Sequence, residues 1–178
     1  MNNRSLARPL VAPLLMYVES GYPPPAPSTL RGMDGWARST ITIAAPRHLV
    51  MTVIADFAAY PAWASMHSVE ILGELGADGR ARLVRFDVNA GIFREQVVLR
   101  YEWDGDELVR WQLAAPGSVV SAMSGSYALT DRGDRTDVTF ELAISARLPL
   151  PGMLRRRAEQ TVIDTALGGL RSRVLALH

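Results

Sequence analysis

The chain has 178 residues, 48% of them hydrophobic and 21% charged, with nineteen basic residues against eighteen acidic ones. That length suits a single domain, and a net charge of +1 provides no clustered positive field for sequence-independent binding of nucleic acid. Every basic residue is Arg and there is no Cys, which excludes Schiff-base lysines, the P-loop lysine, thiol nucleophiles, disulfides and zinc–thiolate sites.

Residues 1–35 hold six of the eleven prolines, including Pro23, Pro24, Pro25 and Pro27, and show no sustained period. Arg4 and Arg8 precede an apolar run over 10–18, the order found in a signal peptide. The run contains Pro13, lacks a small-x-small cleavage site, and falls well short of the roughly 18–20 apolar residues that span a bilayer. The segment reads as a disordered, Pro-rich leader, with 36–178 as the folded domain and Met33 as an alternative start.

Alternation of Thr40, Ile41, Thr42 and Ile43 predicts a half-buried strand over 39–44. Pro46 then suits the first turn of a helix, and Leu49, Val50, Val53, Ile54 and Phe57 recur at helical spacing, predicting an amphipathic helix over 46–58. Tyr60-Pro61-Ala62-Trp63 is expected to close it, because Pro61 disfavours helical geometry at Tyr60.

Six further strands are predicted over 68–75, 81–90, 93–103, 108–114, 119–130 and 136–146, each bounded by Gly- or Asp-rich turns. Short connections make them antiparallel neighbours in a meander. The period of two puts Val97, Leu99, Tyr101 and Trp103 on one face. It likewise groups Val109, Trp111 and Leu113, and Val138, Phe140, Leu142 and Ile144. After Pro151 the period becomes 3.6. Leu154, Ala158, Val162, Ala166, Leu170 and Val174 form an i,i+4 stripe on a helix of about 25 residues, or ~38 Å. A sheet with one apolar face needs a covering layer. The pattern therefore predicts a two-layer α+β domain in which a curved, antiparallel, seven-stranded sheet grips the long C-terminal helix.

That order is accompanied by several local motifs. They are Ile43-Ala44-Ala45-Pro46, Val53-Ile54-Ala55-Asp56, Tyr60-Pro61-Ala62-Trp63, Gly125-Ser126-Tyr127-Ala128-Leu129-Thr130, Thr136-Asp137-Val138-Thr139-Phe140, Leu148-Pro149-Leu150-Pro151-Gly152 and Val162-Ile163-Asp164-Thr165-Ala166-Leu167. Together, over about 36–177, they resemble the START-like (SRPBCC) superfamily, in particular bacterial polyketide cyclase/dehydrase-type proteins related to coenzyme Q-binding proteins. The resemblance implies a helix-grip fold with an internal cavity for a hydrophobic ligand. It does not imply a reaction, because the fold hosts lipid carriers, hormone receptors and cyclases.

The expected ligand-binding residues are Trp63, Phe86, Tyr101, Trp111, Met123, Tyr127, Val162 and Gly169. The same residue types build a filled core, so lining and packing both stand as readings of them. Ala158, Ala166, Gly168 and Gly169 make the C-terminal helix thin, which serves either close contact or room for a ligand. His48, His67 and His178 lack ligand spacing, so no metal site is expected. Strand arginines 82, 85, 94, 100 and 110 beside Asp87, Glu95 and Glu102 read as solvent-face pairs, with Arg82 the nearest to an inward position. Arg155, Arg156, Arg157, Arg171 and Arg173 make a basic helix face, a solvated surface or one for transient membrane contact.

Three functions are compatible with this pattern. The first is a cytoplasmic module, monomer or homodimer and without a cofactor, that binds a lipid, quinone, isoprenoid or polyketide-like molecule. The second is an aromatase/cyclase-dehydratase acting on a poly-β-keto chain, which needs an inward acid or base that no motif commits. The third is a scaffold whose cavity is incidental. An apolar lining favours the carrier, an inward ionisable group the enzyme, and a filled interior the scaffold.

Overall fold

The computed structural model describes residues 37–64, 66–89, 94–147 and 152–178, without the side chains of 88, 89, 94, 152 and 154–159. The leader expected over 1–35 lies outside these residues, as do the turn at 90–92, the Pro-rich link at 148–151 and the side chains of Leu154 and Ala158.

The chain begins with β1 (Ala37–Ile43) and passes into α1 (Arg47–Ala55). A 3-10 turn (Phe57–Ala59) and the single-turn helix α2 (Tyr60–Trp63) follow. Next come β2 (Ser68–Ile71), β3 (Leu83–Asn89), β4 (Arg94–Asp104), β5 (Leu108–Leu113), β6 (Val120–Asp131) and β7 (Thr136–Ala146). The last element is α3 (Gly152–Leu177). All seven strands join one antiparallel sheet in the order β1-β7-β6-β5-β4-β3-β2. Strands β2 to β7 are the expected meander, and β1 returns to the β7 edge. The architecture is the helix-grip arrangement.

Cross-strand register groups one set of side chains on the helix-facing side. Ile41 opposes Val138, Leu129 opposes Val138 from β6, and Tyr127 opposes both Phe140 and Val109. Trp111 opposes Tyr101, and Leu99 opposes Val84. Helix α3 packs mainly on β1, β7 and α1. Val50, Val109, Val138, Ile163, Leu170 and Val174 are fully enclosed. Each such side chain contributes about 1.5–3 kcal/mol relative to leaving it in water. The buried Thr136 hydroxyl donates to the Ala45 carbonyl at 2.8 Å, which fixes the β1–α1 corner against β7.

Four local expectations change. Helix α1 stops at Ala55 instead of running to 58, and the chain turns at Asp56 (φ −80°, ψ 72°). Tyr60 is helical (φ −53°, ψ −40°) despite preceding Pro61, and Pro61 lies in the first turn of α2, where its missing N–H costs nothing. Strand β2 ends at Ile71 instead of residue 75, because Gly73 adopts φ +72°, a left-handed turn that suits glycine. Finally, the buried row of α3 is Ile163, Leu167, Leu170 and Val174. A strict i,i+4 row advances about 40° per step at ~3.6 residues per turn, so it winds off one face of a long helix. Alternating steps of four and three keep these residues on the sheet, and Val162 falls outside the row.

Candidate functional site

The interior is floored by a continuous run of aromatic rings. Phe57 from the 3-10 turn meets Tyr101 at 4.8 Å between ring centroids and Phe86 at 6.0 Å. Tyr101 meets Trp111 at 6.0 Å, Trp111 meets Tyr127 at 5.5 Å, and Tyr127 meets Phe140 at 4.5 Å. At the other end Tyr60 touches Phe86 and holds Trp63 at 4.7 Å in an edge-to-face arrangement, a geometry that aromatic pairs favour. The run crosses five strands because alternating residues of β3 to β7 face the same way and their registers match.

The inner face is not closed evenly. Val109, Tyr127, Leu129, Val138 and Phe140 are buried. Leu113, Val120, Met123 and Ile144 share their face but are only half-buried, packed on the core on one side and reached by solvent on the other. Met123 pairs with Ile144, and Leu113 follows the Gln112–Ser124 pair, so these side chains form one apolar stretch across β5, β6 and β7. A bulge between Val120 and Ala122 begins β6 beside it. Trp63, Met66 and Val69 form a second half-buried apolar group near the β2 edge.

Polar groups in this interior are few. Tyr60 donates its hydroxyl to the Ile54 carbonyl at 2.7 Å. Burial pushes the phenols of Tyr60, Tyr101 and Tyr127 above their ordinary value of 10.0, and the neighbouring Tyr101 and Tyr127 phenols add to the rise at Tyr60. All three are neutral donors at physiological pH. Trp103 donates its indole N–H to Ala81 at 2.9 Å. The Trp63 Nε1 is shut off from solvent and has no hydrogen-bond partner among the described residues.

Glu95 borders the open stretch. It lies on the inward register of β4, opposite Val88. With β5 ended at Leu113, its carboxylate accepts from the Val119 amide (2.7 Å), the Val120 amide (2.9 Å) and the Ser118 hydroxyl (3.0 Å). Partial burial pushes the carboxyl up, but these donors outweigh it and the net shift is below the ordinary 4.5. Sequence reasoning placed Glu95 among solvent-face ion pairs. The available signal was the period of two in β4, which puts residue 95 on the face of Val97, Leu99 and Tyr101.

The eight expected ligand residues separate into groups. Phe86, Tyr101, Trp111 and Tyr127 form the aromatic floor, while Met123 and Trp63 are half-buried and apolar above it. Val162 departs from expectation: it is 44% exposed, outside the buried row of α3. Gly169 also departs, because the room it leaves is taken by the protein. A Cβ there would lie 2.5 Å from the Trp63 carbonyl oxygen and 3.3 Å from its Cε3. Gly168 faces open space. The thin part of the helix therefore serves close contact with α2.

Strand arginines face outward where described. Arg85 pairs with Glu70 at 2.6 Å, and Arg82, 42% exposed at its side chain, pairs with Asp78 at 2.9 Å. His48, His67 and His178 are exposed and dispersed. Among the described residues no group of three or more His, Asp or Glu could hold a metal ion, and no helix is long and apolar enough to cross a membrane.

Comparison with solved structures finds the same fold repeatedly. A START superfamily protein from Mycobacterium smegmatis superposes with a TM-score of 0.74 at 21% identity, over 80% of this chain and 99% of that one. A protein from Thermus thermophilus gives 0.67 at 24% identity, over 80% and 99% of the two chains. The Zhui aromatase/cyclase from Streptomyces sp. R1128 gives 0.64 at 22% identity, over 80% and 92%. A search of curated proteins finds no match. The family model for polyketide cyclase/dehydrase and lipid transport matches residues 37–175, and the chain belongs to that family.

Proposed function

We propose that the protein binds a small hydrophobic molecule against the half-open inner face of its sheet. The observation that carries this reading is the uneven closure of that face. Leu113, Val120, Met123 and Ile144 have the inward register of a core yet remain accessible to solvent, over an aromatic floor with few polar groups. Covering those apolar side chains with a ligand is favourable at about 25 cal/mol per Å² removed from water. Pockets for small molecules have this composition, mostly apolar with a few fixed donors. The family description, which joins polyketide cyclases with lipid transport, fits the same class of ligand.

The geometry favours binding over cyclisation. An aromatase/cyclase needs an acid or base free to approach substrate. Glu95 is the carboxylate beside the open stretch, and its oxygens are occupied by three donors of the 118–120 segment. The buried phenols hold their protons and serve as donors, not as bases.

The test is titration with 1-aminoanthracene, a neutral fluorescent apolar probe, against the wild type and Met123→Trp. The reading predicts saturable one-to-one uptake by the wild type and at least a tenfold loss in the variant, whose larger side chain fills the stretch. Equal uptake by both proteins, or none by the wild type, contradicts it.

A further inference from the structure

A buried N–H without an acceptor costs the folded chain about 1–3 kcal/mol, and such groups are rare enough in native proteins to need a reason. The Trp63 indole presents one. Its residue is half-buried, but Nε1 itself is closed to solvent and has no hydrogen-bond partner among the described residues. The Trp103 indole, by contrast, is satisfied by a backbone carbonyl.

The orientation of Trp63 is fixed from several sides. Its carbonyl and Cε3 rest on Gly169 of α3, where a side chain of any size would displace them. Its ring stands edge-to-face on Tyr60, which is tethered in turn through its hydroxyl to Ile54. Covalent geometry puts Nε1 on the opposite edge of the indole from Cε3, the ring atom that meets Gly169. The aromatic floor continues from Tyr60 to Phe86 and Tyr101. The protein thus holds a water-excluded donor beside that aromatic run.

We propose that the Trp63 indole N–H is the polar recognition point of the ligand site, donating a hydrogen bond to an acceptor oxygen on an otherwise apolar ligand. This rests on the binding reading above and narrows it to a class: ligands carrying a ketone, ester, aldehyde or hydroxyl oxygen, in preference to pure hydrocarbons. The aromatic floor takes the apolar body of the ligand, and the indole sets which end points inward. A fixed donor of this kind costs little rotamer entropy on binding, because the ring is already held.

The test uses two closely related probes, 2-acetylnaphthalene and 2-ethylnaphthalene, which differ by a carbonyl group in place of a methylene. The absence of Lys and Cys removes side-chain amine or thiol addition to the ketone as a complication. The wild type should bind the ketone about tenfold more tightly than the hydrocarbon, the worth of one buried neutral hydrogen bond. Trp63→Phe, which keeps an aromatic ring and removes the donor, should erase that ratio. Because the variant could also loosen α2, a second measurement uses the wild type alone. In 15N-tryptophan-labelled protein the Trp63 Nε1–H resonance should move downfield with the ketone and stay in place with the hydrocarbon. A ketone-to-hydrocarbon ratio near one in the wild type, or an unmoved Nε1–H resonance at saturation, overturns the proposal and leaves apolar binding standing. Failure of the wild type to bind either probe overturns both.

Discussion

The indole of Trp111 on β5 lies across Gly125 on β6. A Cβ at Gly125 would sit 2.3 Å from the Trp111 Cζ2 and 2.7 Å from the Glu141 carbonyl oxygen. The glycine is therefore the slot that lets the ring lie flat on the neighbouring strand, at 8% exposure, and meet Tyr101, Tyr127 and Phe140. Gly125→Ala should lift the ring from its slot and destabilise the fold by about 1–3 kcal/mol, the usual cost of overpacking. Urea denaturation followed by circular dichroism checks it, and a change below about 0.5 kcal/mol contradicts the packing described.

Gly168 and Gly169 should respond in opposite directions to the same change. Gly168 faces open space within α3, so Gly168→Ala should stabilise by roughly 0.5–1 kcal/mol through helix propensity alone. Gly169→Ala places its methyl 2.5 Å from the Trp63 carbonyl oxygen, and should destabilise despite the same propensity gain. Thermal unfolding of the two variants reads the sign. Stabilisation by both means that α2 does not rest on α3 as described.

Glu95 ties the start of β6 to β4, so Glu95→Ala should cost about 1–2 kcal/mol at neutral pH, discounted from fully buried charged hydrogen bonds because the carboxylate is partly exposed. The carboxyl is held below its ordinary 4.5 in the folded state. Its contribution is therefore fully present above about pH 4.5 and is lost as pH falls through the lower folded value. The stability gap between the wild type and Glu95→Ala should stay constant from neutrality down to about pH 5 and narrow below it. A gap independent of pH down to about pH 3 contradicts the carboxylate tether.

The phenols of Tyr60, Tyr101 and Tyr127 lie above their ordinary 10.0 because burial disfavours the phenolate. With folded values raised, their contribution to stability is fully present below pH 10 and lost as pH rises further. Tyrosinate absorbance in an alkaline titration should show these three groups ionising only together with unfolding. Their smooth ionisation in a folded chain contradicts the closed aromatic floor.

Much of this architecture was legible in the residues. The period of two in β4, β5 and β7 identified the inner face, and the structure joins Tyr101, Trp111 and Phe140 in one aromatic run. The switch to a period of 3.6 after Pro151 identified α3. The helical rotation of that element was misjudged because an i,i+4 row drifts around the axis over twenty residues, which moved Val162 to the outside. Gly169 could not be resolved from sequence, because a thin helix looks alike whether a ligand or a backbone fills the space. Glu95 was misplaced for a related reason. Its partners are the Ser118 hydroxyl and the Val119 and Val120 amides, at the start of β6 and just before it, and residue pairing along neighbouring strands does not reveal such contacts.

Met123 and Met51 permit the most direct test of the central claim. Met123 lies on the half-open inner stretch, while Met51, on α1, is fully enclosed. In protein labelled with 13C at the methionine methyl groups, titration with 1-aminoanthracene should move the Met123 resonance saturably by ring-current shift and leave Met51 in place. A saturating probe that leaves Met123 unmoved would show that the ligand does not occupy the inner face of the sheet.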